Sequence, residues 1–290
     1  MQIGSHHIES NTARPGIPIS TMLTRPYLIP FSNFRAKVRI LIDRGDYVVK
    51  TADNEDELDM TLRLRHEVFI EELLGKRNLF GVDIDRYDQK CDHLMVVEKS
   101  TGRCVGTYRL ISDTYSDEFY SGTEFHLGDL PELDGVKLEI GRACIGREFR
   151  KSNMMGLLWE GIYAYMGIIR ARYVFGCSSV MTMDRVELAA LHRYLYGSGY
   201  YRSDLGVRPR KKYVIGTLWE DIAAIEQLGK ARITGMAEAV LPRLVRDYFK
   251  FGARVCGEPA LDKNFRCADI FTILDLQHLN DSYREERLHK

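Results

Sequence analysis

Apolar residues along this chain switch between helical and strand-like spacing, and the order of the switches predicts its architecture. Leu58, Leu62, Arg65 and Phe69 share one face of a helix over about residues 54–72. Asp53 or Asn54 is placed to cap it, and acidic residues fill its first turn. His93–Lys99 and Cys104–Ile111 read as strands joined by the hairpin signal Ser100-Thr101-Gly102. Before the helix, residues 37–50 read as two shorter strands around Arg44-Gly45-Asp46. Val136–Ile145 is another strand, and the helix after it runs from Ser152 to Ile169, with Met155, Leu158, Trp159, Ile162, Met166 and Ile169 at helical spacing. Tyr173–Val180 reads as a strand and Asp184–Tyr196 as a helix. Ala237–Phe251 reads as a helix kinked near Pro242, and Ala268–Leu276 as a final strand. The fold class expected is α+β (mixed α/β) around one sheet.

Pro15, Pro18, Pro26 and Pro30 block regular helix near the start, so residues 1–34 are expected to be a tail. A single domain over 35–290 follows, its stretch from about 200 to 254 forming a basic, helical extension.

Composition narrows the function. The 290 residues carry 41 Lys plus Arg and 41 Asp plus Glu. Zero net charge excludes a protein that binds nucleic acid through a global positive field. Six cysteines without C-x-x-C spacing suggest neither a zinc ribbon nor a dithiol motif, and with no P-loop, dinucleotide-binding glycine fingerprint or H-E-x-x-H either, no metal and no bound cofactor are expected. The start carries no signal-peptide pattern, and free thiols in the cytoplasm are the simplest reading. The Ser152 helix carries Glu160 and two interior glycines, which suits a buried helix better than a membrane span. Charge is unevenly placed: residues 51–90 hold eleven acids and six bases, and residues 200–254 six acids and eleven bases.

Four polar constellations interrupt the apolar pattern. Arg65 lies on the apolar face of its helix, where a charge needs a partner. Asp83, Asp85 and Asp88 follow within six residues; they suit an ammonium group, Arg65 itself, or a solvated loop. Arg109 sits inside a strand-like run. Glu139 and Arg142 sit in a strand that reads as central. Strict alternation puts them on opposite faces; a bulge at Gly141 would bring them to one side. Residue physics leaves two readings open, an internal ion network or an active site.

Arg65-x-x-x-Phe69, Asp85-x-x-Asp88, Arg109 and Glu139-x-x-Arg142 resemble, in order and spacing, the acyl-homoserine-lactone autoinducer synthases, which are GNAT-like N-acyltransferases. Arg147-Glu148-Phe149-Arg150, Leu157-Leu158-Trp159 and Phe175-Gly176-Cys177 resemble the ornithine-lipid N-acyltransferases and related hemolysin-like proteins, as do Leu241-Pro242, Gly252-Ala253, the run Val255 to Ala260, Asp262, Phe265 and Ala268-Asp269. The likeness spans about residues 55–275. It implies a GNAT-like fold: a central, largely antiparallel, bent sheet flanked by helices, with a C-terminal helical extension. It also implies transfer of a fatty acyl group from a thioester to the α-amine of an amino acid, ornithine-like or glycine. An autoinducer synthase using S-adenosylmethionine, or a non-catalytic module that senses acyl carrier or lipid, are the other readings.

The resemblance assigns catalysis to Glu139 and Arg142, and substrate contact to Arg65, Phe69, Asp85, Asp88 and Arg109. Glu139 would take the proton of the amine; Arg142 would hold the acceptor carboxylate or orient Glu139. Cys144 offers a covalent alternative, and His66 and His93 are further candidate bases, each read as structural. Residues 150–156 lack the paired glycines that cradle a coenzyme A pyrophosphate. Acyl carrier protein, with coenzyme A as the alternative, is therefore the expected donor and partner, met by Arg147, Arg150, Lys151, Arg208, Arg210, Lys211 and Lys212. A lipid product leaves peripheral contact with the inner membrane face open, through Arg243, Arg246 and Lys250.

Overall fold

The computed structural model describes residues 33–279. The expected tail up to residue 32 lies outside them, as do residues 280–290.

Eleven strands and six α-helices follow one another among the described residues. β1 (Leu41–Arg44) and β2 (Tyr47–Thr51) turn back at Gly45, whose φ of +62° suits a residue without a Cβ. α1 (Glu55–Arg65) starts at Asn54, whose side chain accepts from the Glu57 amide. It continues as a π-helical segment over His66–Leu73. Then come β3 (Asp92–Glu98), β4 (Cys104–Ser112), β5 (Phe125–His126) and β6 (Val136–Ile145). α2 (Met154–Ile169), β7 (Ala171–Val180) and α3 (Arg185–Gly197) follow, α3 capped by Asp184.

The basic extension differs from its expected form. It comprises β8 (Tyr201–Arg202), β9 (Arg208–Pro209), α4 (Leu218–Ile225), α5 (Lys230–Val240) and α6 (Arg243–Lys250). The single kinked helix is two helices, because Pro242 lacks an amide hydrogen and starts α6 afresh. Nor is the extension terminal: β10 (Arg254–Asp262) and β11 (Cys267–Asp275) return to the main sheet. β10 escapes the alternation pattern because a register shift between Cys256 and Ala260 interrupts it. Gly257 lies in that interruption at φ +74°, where a Cβ would stand 2.4 Å from the Val207 carbonyl oxygen.

The main sheet has the order β1-β2-β3-β4-β6-β7-β11-β10-β8. Its pairs are antiparallel except β6 with β7 and β10 with β8. α2 packs Leu158, Ile162 and Tyr165 against Leu94, Val96 and Leu110 on one face. α1 packs Leu58 and Leu62 against Met95 on the other. Phe34 is buried with α1, so the packed chain begins at the edge of the expected tail. No described helix is long and apolar enough to cross a membrane.

Two irregularities shape the centre. The parallel ladder of β6 with β7 runs from Val136 to Glu139 and then stops. Beyond it the strands diverge and leave a notch. Opposite, β6 bulges against β4: Thr107 pairs with Cys144, but Arg109 pairs with Gly141. The bulge expected at Gly141 centres one residue later, on Arg142, at φ +51°.

Gly176 closes the apex of the notch, where a Cβ would lie 2.2 Å from the Ile140 carbonyl oxygen. Gly176→Ala is therefore expected to destabilise the protein by about 1–3 kcal/mol through overpacking. Gly141→Ala, with nothing within 4 Å of its Cβ, should leave stability nearly unchanged. Thermal melts of the two variants check the contrast.

Candidate active site

The notch opens into a cavity of about 270 Å³. Glu139–Ala143 of β6 and Val174–Ser179 of β7 form its two edges, and α6 and the aromatic Tyr120 close over it.

One wall rests on a buried ion network. Arg65 is fully buried. Its Nη1 donates to Asp88 Oδ1 at 2.6 Å and its Nε to Asp83 Oδ2 at 2.8 Å. Arg109 Nη1 donates to Asp85 Oδ2 at 2.7 Å and to Asp88 Oδ1 at 3.1 Å. Arg142 Nη2 reaches Asp85 Oδ2 at 3.3 Å, while its Nε has no hydrogen-bond partner. The guanidiniums of Arg109 and Arg142 also lie 4.9 and 4.7 Å from the centre of the Tyr120 ring. Three guanidiniums thus meet three carboxylates. Burial opposes ionisation of Asp88, but Arg65 and Arg109 overcome it and hold its carboxyl well below the usual range.

Of the predicted substrate contacts, Phe69 and Arg109 line the cavity; Arg65, Asp85 and Asp88 do not. The carboxylates of Asp85 and Asp88 pair with arginines in the wall. The π-helical segment shifts the helical phase after Arg65, and Phe69 and Leu73 reach the cavity from it.

Glu139 is 3 % exposed and sits at the apex of the notch. It accepts from the amides of Tyr120 and Ser121 at 2.5 and 2.7 Å and from the Ser121 hydroxyl. Burial nevertheless raises its pKa above the ordinary carboxylate value. The bulge lets Glu139 and Arg142 line the same cavity.

Other candidates lie elsewhere. Cys144 does not line the cavity, and burial pushes its thiol far up. His93 is fully buried beside Asp88, and burial lowers its pKa to about 4, so it is neutral at pH 7. His66 does not reach the cavity.

The basic residues separate into two groups. Arg147, Arg150 and Lys151 precede α2, and Arg150 makes a paired contact with Glu72. Arg208, Arg210, Lys211 and Lys212 are exposed around β9, where Arg210 Nε donates to the Gly122 carbonyl. No hydrogen bond or ion pair among the described residues joins the groups.

Sequence reasoning missed Tyr120, Ser121 and Glu124, which sit in a short irregular segment with no periodic signal. Asp262 and Asp269 stood out only within the resembling tail. Glu124, Asp262 and Asp269 all line the cavity.

Comparison with known proteins places this chain in a class. The family profile of the acetyltransferase (GNAT) domain matches residues 64–160. An L-ornithine N(alpha)-acyltransferase of Rhizobium meliloti (strain 1021) is 30% identical over 251 residues, covering 81% of this chain and 81% of that protein. The protein of the same name from Rhodobacter capsulatus is 27% identical over 251 residues, covering 82% and 93%. Among solved structures, an N-acyl amino acid synthase from uncultured soil microbes is similar at a TM-score of 0.44 and 10% identity, covering 80% of this chain and 92% of its own. A CoA-dependent acyl-homoserine lactone synthase with SAM and isopentyl-CoA is similar at a TM-score of 0.42 and 18% identity, covering 77% and 78%. The chain is thus a GNAT-class acyltransferase. It belongs to the family of the L-ornithine N(alpha)-acyltransferases.

Asp88→Asn removes the shared carboxylate and leaves two buried guanidiniums short of charge; a loss of about 3 kcal/mol at pH 7 is expected in urea denaturation. A carboxyl whose pKa is depressed in the folded state stabilises in full above its unfolded value of about 3.9, and the benefit declines as pH falls through and below that value. The gap between wild type and variant should therefore narrow below about pH 4.

Proposed function

We propose that the protein transfers a fatty acyl group from the thioester of an acyl carrier protein to the α-amine of ornithine or a closely similar amino acid. The observation that carries this reading is the notch between β6 and β7, with a buried carboxylate, Glu139, at its apex and an apolar limb leading away from it.

The donor thioester would enter between the diverging strands. Beyond Glu139, β6 has no ladder partner on β7, so backbone groups are left facing the notch. Amides there are suited to hold the oxyanion as the amine attacks. The acyl chain would follow the apolar limb, formed by Trp159 of α2, Val174 and Leu274 of the sheet, and Leu244, Val245 and Phe251 around α6. Of these elements, α6 and its end contribute the larger share.

An α-ammonium must lose a proton before it attacks. Glu139, with its raised pKa, would accept that proton directly or through a water. Arg142 makes only one long hydrogen bond, and its Nε stands 3.6 Å from Asp83 Oδ2 without hydrogen-bonding it, so donors of its guanidinium remain available for the acceptor carboxylate. Its positive φ aims the side chain there at some cost in backbone strain. The amine then displaces the thiol in one step, and no covalent enzyme intermediate is required.

Carrier protein as donor rests on the loop before α2. It lacks paired glycines, and Arg147 and Lys151 stay exposed beside it for a single phosphodiester. Arg208, Arg210, Lys211 and Lys212 form a second exposed basic group suited to an acidic partner. α6 buries Val245 and Phe249 in the core and turns Arg243, Arg246 and Lys250 outward, the face that would meet an anionic membrane surface.

Thiol release from long-chain acyl carrier protein, with ornithine as acceptor and mass spectrometry of the product, tests the reading. Glu139→Gln should lower kcat by roughly 10²–10⁴-fold. Arg142→Gln should act mainly on the KM for the amino acid. Thiol release that is unaffected by Glu139→Gln would remove Glu139 from the chemistry. No N-acyl amino acid from the wild-type enzyme would remove the proposed reaction.

A further inference from the structure

The two walls of the cavity differ in charge. One balances Arg65, Arg109 and Arg142 against Asp83, Asp85 and Asp88. The other presents Glu124, Asp262 and Asp269, which are 2 %, 5 % and 4 % exposed. One oxygen from each lies within 4.8 Å of the others. No described lysine, arginine or histidine is ion-paired to any of them, and the strongest influences on the ionisation of Glu124 and Asp269 are burial and neighbouring carboxyl and hydroxyl groups.

Their existing partners leave a specific deficit. Asp262 Oδ1 accepts from the amides of Asn264 and Phe265 at 2.7 and 3.3 Å. Asp269 Oδ1 accepts from the Ser179 hydroxyl at 2.6 Å, and its Oδ2 from the Cys267 thiol at 3.7 Å. Glu124 Oε2 is buried with no hydrogen-bond partner. Burial and the adjoining Asp269 carboxylate push the Glu124 carboxyl up to about 9, so it holds a proton at neutral pH and hydrogen-bonds to Asp269, with Tyr120 as a further partner. Three carboxyls this close cannot all ionise without a cation, so one keeps its proton; a bound cation would take the place of that proton and let all three ionise.

We propose that Glu124, Asp262 and Asp269 form a subsite for the side-chain ammonium of a diamino acid acceptor, whose α-amine lies at Glu139. This rests on the reading of the cavity as an amino acid N-acylation site, and adds the residues that would choose the acceptor.

Chemistry favours an ammonium over a metal ion. A primary ammonium offers three N–H donors, one for each carboxylate. Calcium takes six to eight oxygens, and magnesium keeps several waters. Hydrogen bonds from the protein already occupy oxygens of Asp262 and Asp269, which leaves little scope for bidentate ligation.

Placement along β7 fits an acceptor of limited length. Glu139 pairs with Phe175, and Asp269 pairs with Ser179. Four residues of strand span about 13 Å. An extended α,δ-diamine measures about 6 Å between nitrogens, and a hydrogen bond of about 2.8 Å at each end brings the reach close to that span. Cys177 lies midway, where burial raises its thiol and the charges of Glu124, Asp269 and Glu139 raise it further. Glu124, Asp269 and Glu139 therefore all flank this stretch of strand.

The test compares L-ornithine with L-norvaline, which has the same carbon chain without the δ-amine, using the full chain. Acylation of each is read as kcat and KM, and binding of each by calorimetry, which needs no turnover. Wild type should prefer ornithine in kcat/KM by roughly 10²-fold or more. Glu124→Gln should collapse that preference to within several-fold, chiefly through the KM for ornithine. Asp269→Asn serves as the second variant, and thermal melts confirm that each folds. Equal acylation of the two acceptors by wild type would overturn the subsite while leaving the N-acyltransferase reading intact. A preference kept in both folded variants would overturn it as well. If neither amino acid is acylated or bound, both readings fall. Tight binding of Ca²⁺ or Mg²⁺ that Glu124→Gln abolishes, without loss of ornithine preference, would make this a metal site and overturn the proposal.

Discussion

Three arginines gathered against the central sheet must be neutralised, and that constraint organises the centre of this protein. Arg65 comes from a helix, Arg109 and Arg142 from neighbouring strands, and Asp83, Asp85 and Asp88 from a loop that has little regular structure of its own. Asp88 is shared by Arg65 and Arg109 and is fully buried. An unpaired charge at this depth would be prohibitively unfavourable, so helix, strands and loop are held in one arrangement. The network fastens α1 to the sheet and supports Arg142 from behind.

That support matters because the central strand is irregular where chemistry is proposed. β6 bulges at Arg142 and parts from β7 after Glu139. The two irregularities are complementary. The bulge turns Arg142 towards the side that Glu139 faces, and the parting opens the space into which both project. Gly176 permits close approach of the strands just where they begin to diverge.

The cavity built this way is asymmetric. An apolar limb runs under α6, a balanced ion wall lies on one side, and carboxylates without cations lie on the other. Such an environment suits a molecule with a long hydrocarbon, a carboxylate and two amines brought together. An acyl thioester and a diamino acid supply those parts between them, in keeping with the family to which the chain belongs.

Much of this was legible in the order of residues. Apolar spacing located both flanking helices and the strands β3, β4, β6 and β7, because half-buried regular elements repeat at their own period. Charges embedded in apolar runs marked Arg65, Arg109, Glu139 and Arg142, because a charge in such a run must serve a purpose. Spacing could not decide whether Asp85 and Asp88 faced a ligand or an arginine, since that depends on how a loop folds back over distant strands. Nor could it show β10, whose alternation breaks at Gly257, or the split at Pro242. Glu124 lies 138 residues before Asp262 in the chain, and it meets Asp262 and Asp269 only when β11 returns beside β7. Local periodicity is a property of neighbours in the chain; the meeting of three carboxylates without a cation is a property of the packed sheet, and only the tertiary structure decides it.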